Sequence, residues 1–220
     1  MELMEAMKAR HSVRSYSDRA IEPEKKQALT KKIKEINKES GLHIQLICDE
    51  PKAFDSFMAH YGKFSGVTNY FALIGKKSAD LSEKCGYYGE QLVLLAQQLG
   101  LNTCWVAMSY SKVKSAYKIG PGEKLVIVIS LGYGNTQGVP HKSKAIADVS
   151  KADVPAEWFT TGVSAALLAP TAMNQQKFRF EKTGDKVRAA AGSGFYSKVD
   201  LGIAKLHFEI GAGTENFEWA

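Results

Sequence analysis

The residues best suited to chemistry stand near the two ends of the chain. Close to the start, ARHSVR (residues 9–14) sets Arg10, Ser12 and Arg14 at alternating positions beside His11. Guanidinium forks match the oxygens of a phosphate, and a hydroxyl with backbone N–H groups fills the remaining acceptor directions. Most isolated runs of this kind are solvated turns, and His11 alone reads more readily as a surface histidine than as a general base. Near the other end, LLAPTAMNQQKFRF (residues 167–180) sets Asn174, Gln175 and Gln176 at the junction of two segments that look buried. Amides in such a place either bond their own surroundings or are offered to a ligand.

The hydrophobic pattern supplies the elements that must position these groups. Residues 2–9 read as a short helix, with Leu3, Met4 and Met7 on one side. A second helix begins near Pro23, favoured at a first helical position, and stops at Gly41. Residues 86–100 form another, with Tyr88, Leu92, Leu95 and Leu99 on one stripe, and residues 156–169 and 200–213 are also helical. Strands are predicted at 43–49, 69–75, 102–108, 125–132 and 177–182. LVIVISLG (125–132) is apolar on both faces, which suits a central strand. The glycines at 132, 134 and 138 do not make a dinucleotide-binding loop, because the spacing is one residue too long and no helix follows. The class is α+β: a mixed sheet of roughly five strands with helices around it. Both YYGEQLVLLAQQLG and VDLGIAKLHFEIG run from a glycine turn through an amphipathic helix to a glycine. That order predicts one domain over 1–220, made of two unequal half-units, about 1–148 and 149–220.

Bulk composition narrows the function classes. The 220 residues are 45% hydrophobic and 24% charged, as in an ordinary soluble globular domain. A net charge of +6 suits anionic ligands and is too modest to argue for nucleic acid. The lysines of residues 25–38 face away from Leu29, Ile33 and Ile36, so they form the solvated side of a helix. No apolar run is long enough for a membrane span, and MELMEAMKARHS does not read as a signal peptide. Cys48, Cys85 and Cys104 lack disulfide or metal spacing; they read as core residues of a protein in the cytoplasm.

Four stretches together resemble the FMN-dependent nitroreductase family. RHSVRSY (10–16) is similar to its opening motif, and APTAMNQQKFRF (169–180) to its A-P-S-x-x-N-x-Q-P-W-R-F stretch. HKSKAIADV (141–149) resembles its late Lys-Ser-Arg segment. GVTNYFALIGKK, GYYGE and LGLNTCWVA resemble a branch often labelled as nitroreductases by similarity. The resemblance implies a nitroreductase-like mixed sheet and an FMN site. Arg10 and Ser12, with Lys142 and Lys144, would hold the phosphate, and His11 would belong to the same cofactor site. Arg14 would lie near the N1–O2 edge of the flavin, with Lys63 as a second candidate there. Backbone N–H groups at Ala107 and Met108 would face N5. Pro170, Thr171, Asn174 and Gln176 would approach from the other half. Lys-Ser-Lys replaces Lys-Ser-Arg, which keeps the charge and loses the bidentate fork. Lys177-Phe178 stands where the family has Pro-Trp.

In the family the amide motif follows the opening motif within a few tens of residues; here it comes after residue 168. A fused, degenerate duplication would bring both motifs into one polypeptide, as a monomeric pseudo-dimer or a homodimer; a circular rearrangement would do the same. The expected activity is hydride transfer from NADH or NADPH through FMN to a nitroaromatic, a quinone or a similar small acceptor. The lack of any catalytic triad or metal spacing agrees with chemistry carried by a cofactor. The alternative is a flavin-binding storage, sensing or regulatory protein without turnover. Phe64, Tyr70, Tyr87, Tyr88 and Trp105 offer stacking surfaces, although aromatics of this kind are mostly core.

Overall fold

The computed structural model describes residues 1–220, which form seven α-helices and eight strands. The helices are α1 (Leu3–Ala9), α2 (Pro23–Ser40), α3 (Phe57–Tyr61), α4 (Leu81–Gln98), α5 (Ile146–Val149), α6 (Glu157–Ala166) and α7 (Ser197–Ala212). The strands are β1 (Gln45–Ile47), β2 (Asn69–Lys76), β3 (Asn102–Val106), β4 (Glu123–Gly132), β5 (Ser150–Ala152), β6 (Phe178–Thr183), β7 (Lys186–Ala191) and β8 (Glu218–Trp219). None of the helices is long and apolar enough to cross a membrane.

Contacts divide the chain into two compact units, and each draws on separated segments. The larger comprises Arg10–Leu81 and Leu92–Pro140; the smaller comprises Met1–Ala9, Ser82–Gln91 and His141–Ala220. The division therefore does not run at residue 148. Helix α4 is the reason, since its first turns carry residues of the smaller unit and its last turns residues of the larger.

The larger unit is built on an antiparallel sheet in the order β1-β2-β4-β3. Strand β4 is flanked on both sides, as its two apolar faces require. Pro23 opens α2 and Gly41 closes it in the left-handed conformation. The helix buries Leu29, Ile33 and Ile36. Asn37 fixes α2 to the start of β1 by donating to the Ile44 carbonyl and accepting from the Ile44 N–H, both at 2.9 Å. Val13, Tyr16, Phe54, Phe64 and Tyr70 share one buried cluster, so Phe64 and Tyr70 are core residues. The Tyr16 hydroxyl donates to the Val13 carbonyl at 2.7 Å and lies 2.8 Å from the Ser130 hydroxyl.

The smaller unit has its own sheet, ordered β5-β6-β7-β8, with parallel pairs at both sides of an antiparallel centre. Its core is aromatic: Phe180 stacks on Phe208 at 4.7 Å, and Phe217 packs edge-on against Phe208 at 5.2 Å. The first turns of α4 cross α7 at two glycines. A Cβ at Gly86 would strike the Val199 carbonyl, and one at Gly202 would strike the Glu83 carbonyl. Only hydrogen side chains allow the backbones this close. The crossing also buries a polar pair: His207 Nε2 meets Glu90 Oε1 at 3.0 Å, and both side chains are fully buried.

The α+β class holds, with two sheets of four strands in place of one sheet of about five. Strand β7 (KVRAAA) escaped the pattern because only Val187 of its six residues is buried, which leaves no apolar alternation. Helix α4 starts at Leu81, not at residue 86, because Leu81 and Cys85 extend its buried stripe by one turn. Strand β1 is shorter than predicted, and the chain beyond it turns through Asp49 at φ 56°.

Candidate functional site

In the larger unit, residues 10–16 form an extended ribbon. Ser12 forms a parallel bridge to Thr103 on β3, and Ser15 forms one to Ser65. The Val13 N–H donates to the Thr103 carbonyl and the Tyr16 N–H to the Ser65 carbonyl, each at 3.0 Å. Alternation then sends Val13 into the core and leaves Arg10, Ser12 and Arg14 to share the other side. Burial pushes the Cys104 thiol up, and Arg14, the Ser12 hydroxyl and Arg10 act electrostatically against that shift. Arg10 is 4% exposed, whereas Arg14 is exposed and lies 5.9 Å over the Phe64 ring. Two guanidiniums and a hydroxyl on one face make a donor set that fits a phosphate or another oxyanion.

The remaining expected residues of this unit lie on adjoining segments. Lys63 follows α3 by two residues, at φ 62°, and is exposed. Two residues on, the Ser65 N–H donates to the Arg14 carbonyl at 3.0 Å. Ala107 and Met108 continue from the end of β3, and Met108 is 65% exposed. His11 is half-buried.

The smaller unit answers what the amides do. The Gln176 side chain is 2% exposed and fully engaged. Its Oε1 accepts from the Lys144 N–H at 2.8 Å, and its Nε2 donates to the Lys142 carbonyl at 2.9 Å and to Asn174 Oδ1 at 2.8 Å. Asn174 donates to the same Lys142 carbonyl at 2.9 Å. The Lys144 ammonium returns to the Gln176 carbonyl at 3.1 Å. The Ser143 hydroxyl donates to the Leu167 carbonyl at 3.1 Å, and His141 Nε2 also meets it, at 2.9 Å. The Thr171 hydroxyl accepts from the Gln176 N–H at 3.1 Å, and Pro170 is buried. Thus the structure gathers Lys142, Lys144, Pro170, Thr171, Asn174 and Gln176 into one assembly. Its amides knit the two segments together, while Lys142 and Asn174 remain exposed.

This loop is conformationally costly. Met173, Asn174 and Gln176 have φ of 52°, 53° and 45°. Asparagine tolerates that region, whereas methionine and glutamine adopt it at about 1–2 kcal/mol each. The hydrogen bonds above hold the loop in place, and Asp200 supports it from below. Asp200, in the first turn of α7, is 3% exposed. Its carboxylate accepts from the Ala172 N–H at 3.0 Å and from Gln175 Nε2 at 2.7 Å. Burial raises its pKa to about 6, against the smaller opposing effect of those two bonds. Sequence reading missed Asp200 and Cys104. Asp200 sits in an unremarked helix start, and Cys104 carries a sign only once the ribbon lies across β3.

Comparison with known proteins follows the same lines. A family model described as "Putative TM nitroreductase" matches residues 2–212. Among solved structures, the chain is similar to one titled a putative nitroreductase from Thermotoga maritima MSB8. The two are 25% identical, with a TM-score of 0.67 over 96% of this chain and 83% of that one. The fold is also shared with a putative NADH dehydrogenase/NAD(P)H nitroreductase from Bacteroides thetaiotaomicron VPI-5482, at 19% identity and a TM-score of 0.53 over 67% of this chain and 95% of that one. A nitroreductase family protein from Streptococcus pneumoniae TIGR4 gives 12% identity and a TM-score of 0.53, over 67% and 98% of the two chains. No curated protein matches.

Proposed function

Because the chain belongs to the family described as "Putative TM nitroreductase", we propose that it is an FMN-dependent oxidoreductase. Its donor is NADH or NADPH, and its acceptor a nitroaromatic, a quinone or a similar small molecule. The observation that carries this reading is the extended ribbon beside β3, which sets Arg10, Ser12 and Arg14 at alternating positions with Ser12 bridged to Thr103. FMN, when bound, supplies two-electron chemistry at N5 between a nicotinamide and an acceptor.

The chain's own residues bind and bias that cofactor. Arg10 and Ser12 hold the phosphate. Arg14, with Lys63 near its strand partner, places positive charge at the N1–O2 edge, which favours the anionic reduced ring. The N–H groups of Ala107 and Met108 are offered to N5, as the family resemblance implies. Thr171 and Asn174 are proposed as further contacts, and Lys142 as a further phosphate donor. The Lys144 ammonium is already bonded to the Gln176 carbonyl, so its contribution is charge. Gln176 and Pro170, both buried, position the loop. The three free cysteines suit work in the cytoplasm.

The first test is the visible spectrum of the purified chain, with released flavin counted per chain and reduction by NADH and NADPH followed anaerobically. About one FMN per chain, reduced within a turnover time, is the expected result. Arg10→Ala should weaken FMN binding by about 1.5–3 kcal/mol, the loss of a hydrogen bond to a charged group. A folded, colourless chain that refuses added FMN would end this proposal. Bound flavin that neither nicotinamide reduces would leave a binding protein in place of an enzyme.

A further inference from the structure

The larger unit contains a cavity of about 510 Å³ whose wall carries Lys77, Lys112, Lys114 and Lys124. All four are exposed, and none forms an ion pair. The single carboxylate in the wall, Glu123, is already occupied: it lies 2.9 Å from His43 Nδ1 and accepts from the Gly120 N–H at 2.6 Å. Four cations therefore converge without a partner.

The wall is held in place by the sheet and its neighbouring loop. Lys124 pairs across from Gly75 in the β2–β4 ladder, and the Lys77 N–H donates to the Gly122 carbonyl at 2.9 Å. On the facing loop, Gln45 clasps the Lys118 backbone, accepting from its N–H at 2.9 Å and donating to its carbonyl at 2.7 Å. Val113, between the two loop lysines, packs against the core. The lysines are thus mounted on anchored backbone. Apolar surface from Tyr117, Ile119 and Leu125 completes the lining.

We propose that this cavity binds a nucleoside polyphosphate, with the phosphates among the four lysines and the ring system on the apolar surface. Lysine is a compact point charge suited to phosphate, and convergent unpaired cations concentrate anions in a concave site. The volume lies in the usual range for a small-molecule site. The cavity is separate from the arginine face, so the proposal stands whether or not the chain binds FMN.

ATP, inorganic tripolyphosphate and FMN are the probes, titrated calorimetrically against the full chain without divalent cations. ATP should bind saturably, and more tightly than tripolyphosphate. Lys112→Glu with Lys124→Glu should weaken ATP binding by about 100-fold, since each charge-assisted contact is worth about tenfold or more. Lys31→Glu with Lys34→Glu, the same charge change on α2, should leave ATP binding within about threefold. Thermal unfolding of both variants confirms that they fold. No saturable binding of ATP, or equal weakening by both variants, would overturn the site. Equal affinity for ATP and tripolyphosphate would overturn the role of the ring. Loss of ATP binding in the presence of saturating FMN would place ATP in the flavin site and overturn the proposal as well.

Discussion

Replacing Asp200 with asparagine isolates the buried carboxylate beneath the amide loop. Asp200 is 3% exposed, and burial raises its pKa from 3.8 to about 6. A raised value in the folded state means that the native chain holds this proton more tightly than the unfolded chain does. The associated stabilisation is complete below about pH 4 and is lost as the pH rises through about 6. At about 1.4 kcal/mol per pKa unit, the interval from 3.8 to about 6 amounts to about 3 kcal/mol. Asparagine has no such proton to lose. Its amide also turns a donor toward the Ala172 N–H or Gln175 Nε2, which lowers stability by a roughly constant amount at every pH. The difference in unfolding free energy between variant and parent should therefore move by about 3 kcal/mol in the variant's favour between about pH 4 and pH 7. Urea titrations of both proteins across that range measure it directly. Parallel stability curves, with the difference constant to within about 0.5 kcal/mol, would refute the reasoning, and so would movement in the opposite sense.

Two further substitutions probe the scaffold. Gln176→Leu strands the Lys144 N–H and removes a partner from the Lys142 carbonyl, so stability should fall by about 2–4 kcal/mol in urea denaturation. A cost below about 1 kcal/mol would show that the amide network is dispensable. Gly202→Ala forces a methyl group into the Glu83 carbonyl, so α4 and α7 must separate. The expected cost is about 1–3 kcal/mol or more, seen as a lower Tm; an unchanged Tm would mean that the crossing relaxes freely.

The strong elements could be read from sequence because each carried redundant signals. Helix α2 has Pro23, three apolar residues at helical spacing and Gly41, all agreeing. Strand β4 has ten residues with apolar character on both faces, and it is central as that pattern demands. Of the second sheet only β6 was legible, because β5 has three residues, β8 has two, and β7 is mostly short side chains. Such strands are specified by their neighbours, not by their own pattern. The arginine ribbon was visible as a motif, while its face became clear only when Ser12 paired with Thr103. The amides raised the right question in sequence. Their answer needed the 141–144 segment, more than thirty residues away, to close the hydrogen bonds.

The divided helix α4 also orders events on the ribosome. Every segment of the larger unit has been made by Pro140, so its core can close while the C-terminal part is still being added. The smaller unit has no such option, because residues 82–91 belong with α7. Glu90 precedes its partner His207 by 117 positions, which at about 5–20 residues per second is a wait of roughly 6–23 s. Through that interval a stretch with Cys85, Gly86 and the Glu83 carbonyl lacks its α7 partner. Truncation anywhere before α7 would make that lack permanent, so shortened chains should be captured by chaperones or degraded even when their larger unit is intact.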